Sequence, residues 1–108
     1  MTRVFSLEQL PPGMARMEMA GDYTIAFFNI DGTIYAVDDV CPHVGGPLHD
    51  GTIDTGELLI TCPLHGWRFS LCDGTMQPGR RRIATFDVEI RDGDVYVDPT
   101  PRPTESGQ

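Results

Sequence analysis

Two short motifs in this chain pair a thiol with an imidazole: Cys41-Pro42-His43 and Cys62-Pro63-Leu64-His65-Gly66. Soft sulfur and borderline nitrogen donors converging from two constrained loops are what a transition-metal site requires. Proline after each cysteine removes a backbone donor and fixes φ, which holds the loop open, and the glycines let backbone N–H groups approach sulfur closely. Residues 44–61 separate the halves, room for the chain to leave as a strand and return. A Cys₂His₂ set is also a common closed zinc set, although zinc modules usually pair Cys with Cys and His with His, whereas here Cys precedes His twice. The third cysteine, Cys72, leaves an odd number, which disfavours a disulfide scaffold and favours metal or catalytic chemistry.

The elements that must position these loops read as β. Tyr23–Ile30, Thr33–Val37 and Ile83–Ile90 are rich in β-branched and aromatic residues, and Asp94-Val95-Tyr96-Val97-Asp98 alternates as a half-buried strand does. Asp-Gly pairs at 31–32 and 92–93 separate strand-like runs and predict tight hairpins; two more stand at 50–51 and 73–74. Cys41 to Gly51 reads as a loop, and Cys62 to Gly66 as a second loop entered from the strand-like Glu57–Thr61. No segment sustains a 3.6-residue apolar period, though Ser6–Leu10 fits a single helical turn before Pro11-Pro12. An all-β, antiparallel sandwich or barrel-like domain over residues 1–98 is expected. The tail, residues 99–108, has no apolar content to bury and is expected to be disordered.

The composition limits the function classes. A chain of 108 residues suits one domain, and no run approaches the roughly 18–20 apolar residues of a membrane span. No apolar run followed by a small-residue cleavage site opens the chain, so a cytoplasmic protein is expected. The net charge of −8 comes from 16 acidic residues against 8 basic ones, all of them arginine. That balance argues against nucleic acid and suits either simple solubility or docking to a basic patch on another protein.

The paired motifs, with Tyr35-Ala36-Val37-Asp38-Asp39-Val40 before the first and Gly66-Trp67-Arg68-Phe69 after the second, resemble the Rieske ferredoxin family from about Phe5 to Asp98. The resemblance implies a Rieske-type fold with a two-loop subdomain binding one [2Fe–2S] cluster. Cys41 and Cys62 would hold the inner iron, and His43 and His65 the outer one near solvent. Exchange of two thiolates for imidazoles makes such a cluster easier to reduce than an all-cysteine one. High-potential members carry an extra cysteine in each loop, joined as a disulfide; Gly46 and Leu64 stand there instead. Those members also place Ser and Tyr hydroxyls after the second loop, where this chain has Trp67 and Phe69. The resemblance thus implies a potential at the low end of the Rieske range, roughly −150 mV.

The implied function is that of a ferredoxin, not an enzyme, carrying single electrons from a NAD(P)H-dependent flavoprotein reductase to a terminal ring-hydroxylating oxygenase. The oxygenases themselves need a 2-His-1-carboxylate iron site, and only His49 remains for one. The alternatives are the Rieske small subunit of an assimilatory nitrite reductase or a similar enzyme, and a zinc-binding interaction domain. A monomer is expected.

Other residues carry weaker signals. His49 reads as an exposed loop histidine and Cys72 as a spare, partly exposed thiol. Trp67 fits core packing better than cluster shielding, and Arg80-Arg81-Arg82 reads as a solvated run pairing with nearby acids more readily than as a docking face. Pro78-Gly79 suggests a third loop of the kind that covers the cluster in family members. Met14, Met17, Met19 and Met76 read as core filling.

Overall fold

The computed structural model describes residues 1–41, 47–64, 66–77, 79 and 81–102, and these form three antiparallel layers. The central layer contains β2 (Ala15–Ala20), β3 (Tyr23–Ile30), β4 (Thr33–Asp38) and β8 (Thr85–Phe86), hydrogen-bonded in that order. On one side lies a sheet in which β10 (Asp94–Val97) runs between β1 (Thr2–Ser6) and β9 (Val88–Arg91). On the other lies a small sheet of β5 (Thr52–Asp54), β6 (Leu59–Thr61) and β7 (Arg68–Ser70).

β3 explains the layering. Its residues from Ile25 to Ile30 are all buried, because both of its faces are covered. Ile25 and Phe27 point into a core with Phe5, Leu10, Ile34, Phe86, Val95 and Val97. Ala26, Phe28 and Ile30 point into a second core with Leu48, Ile60, Phe69, Leu71 and both motif cysteines. Period-2 alternation thus sorts one apolar run into two cores. β10 is covered on one face only, and there Val95 and Val97 are buried while Asp94 and Tyr96 are half-exposed.

The expected hairpins form at Asp31-Gly32, with φ of 53° and 95°, and at Asp92-Gly93, with φ of 51° and 80°. Positive φ at both central residues gives the turn whose twist matches the flanking strands. The expected helical turn before Pro11 is present as a 3-10 turn over Leu7–Gln9, with the Ser6 N–H donating to Gln9 Oε1 at 2.9 Å.

Two expectations need correction. The run Ile83–Ile90 is not one strand: it changes sheets at Asp87, β8 pairing with β4 and β9 with β10. Met14, just before the edge strand β2, and Met17 and Met19 on it are exposed by 55%, 41% and 75% and do not fill the core; Met76 does pack on the second core. At the start of the tail, Arg102 reaches back to the fold. Arg102 donates from its backbone to the Thr85 carbonyl at 2.8 Å and from its side chain to Thr85 Oγ1 and the Cys72 carbonyl, at 2.9 and 2.6 Å. Residues 103–108 lie outside the described part.

Candidate metal centre

The first loop leaves β4 at Asp38 and is closed at its base. The Asp39 N–H donates to the Thr24 carbonyl on β3 at 2.9 Å, and the Leu48 N–H donates to the Asp39 carbonyl at 2.7 Å. Val40 bridges to Pro47, and Leu48 plugs the core. The second loop is a tight connection between β6 and β7, in which the Cys62 N–H donates to the Trp67 carbonyl at 2.7 Å and the Gly66 N–H to the Cys62 carbonyl at 3.1 Å. Gly66, at φ 76°, takes a left-handed conformation that a side chain would strain.

Register places the two loops side by side. Thr52 opposes Thr61, so the exit of the first loop abuts the entrance of the second. A Cβ on Gly51 would lie 2.1 Å from the Thr61 carbonyl oxygen, so only glycine permits this approach beside Cys62. Cys41 and Cys62, at the roots of the two loops, are 1% and 2% exposed and belong to the same apolar core as Phe28, Ile60 and Phe69. His43 and His65 lie outside the described residues, as do Gly46, Pro78 and Arg80. Leu64 is exposed by 57% at the tip of the second loop.

The surroundings revise several readings. Trp67 is half-buried against the second core, with the Arg81 guanidinium 5.5 Å from its ring centroid. Arg81 thus stacks on an aromatic face, whereas Arg82 acts on Asp73, whose carboxyl is lowered chiefly by hydrogen bonds from Thr75, with a smaller contribution from Arg82. Cys72 is exposed, as expected of a spare thiol. His49 is not a free loop histidine. Its side chain is 25% exposed, with Nδ1 at 2.9 and 3.0 Å from the two Asp39 carboxylate oxygens. Nothing in the local sequence marks that pair, since its members are separated by the whole loop.

Asp38 lies at the mouth of the first loop with its carboxyl raised above the ordinary value. Burial is the largest cause and the Asp39 charge adds to it, while the hydrogen bond from the Val40 N–H opposes it. A raised carboxyl holds its proton more tightly in the folded chain. Its stabilising contribution is therefore fully present below the unfolded pKa and is lost as pH rises through the folded value. Asp38→Asn keeps an oxygen to accept from Val40 and removes the charge. Its melting temperature is expected to exceed that of the native chain by a few degrees at pH 7 and to match it at pH 3. Thermal melts at both pH values check this, and an equal difference at both would sink it.

Two buried thiols at the roots of adjacent loops fit a centre whose sulfur ligands are shielded and whose other donors come from the loop tips. A family model for the Rieske [2Fe–2S] domain matches residues 1–101, and the chain belongs to that family, whose cofactor is one [2Fe–2S] cluster. Within it, the chain is similar to ferredoxin CarAc of Metapseudomonas resinovorans, at 33% identity over 88% of this chain and 90% of that one. It is also similar to the 3-phenylpropionate/cinnamic acid dioxygenase ferredoxin subunit of Photorhabdus laumondii, at 35% identity over 87% and 90%. Among solved structures, it matches a chain in the complex of reduced oxygenase and oxidized ferredoxin in carbazole 1,9a-dioxygenase. There the TM-score is 0.83, with 30% identity and 94% of each chain covered. Among the described residues no helix is long and apolar enough to cross a membrane.

Proposed function

We propose that this chain is the ferredoxin component of a ring-hydroxylating oxygenase system, a cytoplasmic, monomeric electron carrier with no catalytic site of its own. It takes single electrons from a NAD(P)H-dependent flavoprotein reductase and delivers them to a terminal oxygenase. In this reading Cys41 and Cys62 hold the inner iron of the cluster, and His43 and His65 the outer one. The observation that carries it is the burial of Cys41 and Cys62 in one core at the roots of two abutting loops. The names of the relatives support the carrier over a nitrite reductase subunit.

The cluster supplies reversible one-electron chemistry when bound. The chain's own part is to hold and shield it. Phe28, Ile60 and Phe69 exclude water behind the thiols, the closed bases of both loops keep the donors in place, and Trp67 packs on that same core at the end of the second loop. No hydroxyl side chain stands at 67 or 69, which keeps the reduced state weakly stabilised and favours a low potential.

Optical and EPR spectra of the oxidised and dithionite-reduced protein test the reading. A reduced signal averaging below the free-electron g value is expected, followed by turnover when the protein links a flavoprotein reductase to a ring-hydroxylating oxygenase. A colourless protein carrying stoichiometric zinc after anaerobic purification would overturn it.

A further inference from the structure

We propose that Asp39 and His49 form a clamp across the base of the first loop, acting as positioning residues for the cluster half that Cys41 carries; this rests on the cluster reading above. Backbone contacts close the base of that loop on both strands. Val40 bridges to Pro47, and the Leu48 N–H donates to the Asp39 carbonyl at 2.7 Å. The Asp39 side chain adds a second set of ties. Its Oδ1 accepts the His49 backbone N–H at 2.8 Å, and His49 Nδ1 donates to the two carboxylate oxygens at 2.9 and 3.0 Å.

Asp39 is 4% exposed, so its carboxylate needs these donors. It is fixed from the other side by its own N–H on Thr24 of β3. The clamp therefore ties the central sheet to the far end of the loop, two residues before Cys41 on one side and directly after Leu48 on the other. The ring orientation is held through Nδ1; its other nitrogen, Nε2, lies 3.5 Å from the exposed Asp50 carboxylate. A side chain at position 49 thereby governs how firmly the Cys41 loop is held, without touching the metal.

Three variants of the holoprotein separate this from a general loss of stability. In asparagine, the side-chain amide reaches about as far as Nδ1 of histidine; in glutamine, it reaches about as far as Nε2. With excess iron chelator, His49→Ala and His49→Gln are expected to bleach about tenfold faster than the native protein, the effect of one hydrogen bond to a charged group. Their reduced EPR lines are expected to broaden, and His49→Asn to restore both readouts. Phe27→Ala, which loosens the opposite core, serves as the stability control. The clamp is overturned if His49→Ala bleaches at the native rate, if Gln rescues as well as Asn, or if bleaching simply follows melting temperature across all four variants. A native protein without iron overturns the cluster reading instead. In that event amide exchange at Leu48 and position 49 still decides the clamp, with faster exchange in His49→Ala expected and an unchanged rate ruling it out.

Discussion

Cys62→Ala is expected to yield a folded, colourless protein in which the histidine-ligated [2Fe–2S] spectrum is lost completely. The two hydrogen bonds that shape the second loop are made by the backbone of Cys62, to and from Trp67 and Gly66, and alanine retains both. The position is 2% exposed within an apolar core, so a methyl group is tolerated there and the loss of sulfur costs little packing. What alanine cannot replace is the soft anionic donor, and three remaining donors do not retain a four-ligand cluster. Far-UV circular dichroism close to that of the native apoprotein, iron content near zero and no reduced EPR signal are the expected results. A normal spectrum in Cys62→Ala would remove Cys62 from the ligand set.

Phe27→Ala is expected to be the most destabilising single change away from the candidate centre. Phe27 is fully buried and meets Phe5 edge to face, with centroids 5.1 Å apart and planes at 86°, so it ties the central sheet to β1. Truncating such a ring costs about 3–5 kcal/mol. That is a large share of the roughly 5–15 kcal/mol that holds a domain of this size, and it corresponds to a fall in melting temperature of about 15 °C. The neighbouring Phe28 points the other way, into the core that contains Cys41 and Cys62. Phe28→Ala is expected to lose comparable stability and, unlike Phe27→Ala, to lose cluster during purification. Equal cluster occupancy in the two variants, at matched temperatures below their melting points, would contradict the two-core description of β3.

Features of this chain written within a few consecutive residues were legible without any structure. The Asp-Gly hairpins were, because positive φ at both central positions is a local steric preference of those two residues. So were the thiol–imidazole motifs, because donor type and spacing are properties of adjacent side chains, and the strand Tyr23–Ile30, because β-branched and aromatic residues crowd into it. The same chemistry made an all-β chain with two metal-binding loops the expected outcome.

Tertiary structure decided which faces those elements present and what covers them. β3 is buried from Ile25 to Ile30 because two different sheets pack against it, one built from both ends of the chain and one from its middle. Ile83–Ile90 divides at Asp87 because its halves find partners in separate sheets, a choice made by β4 and β10 and not by the run itself. Met17 and Met19 look like core residues in sequence but stand exposed on an edge strand whose Ala20, not its methionines, is buried. Arg102, in an otherwise featureless tail, is held by Thr85 and Cys72 across the fold. His49 finds its buried carboxylate only because the loop between them closes, and loop closure depends on contacts that no local window contains.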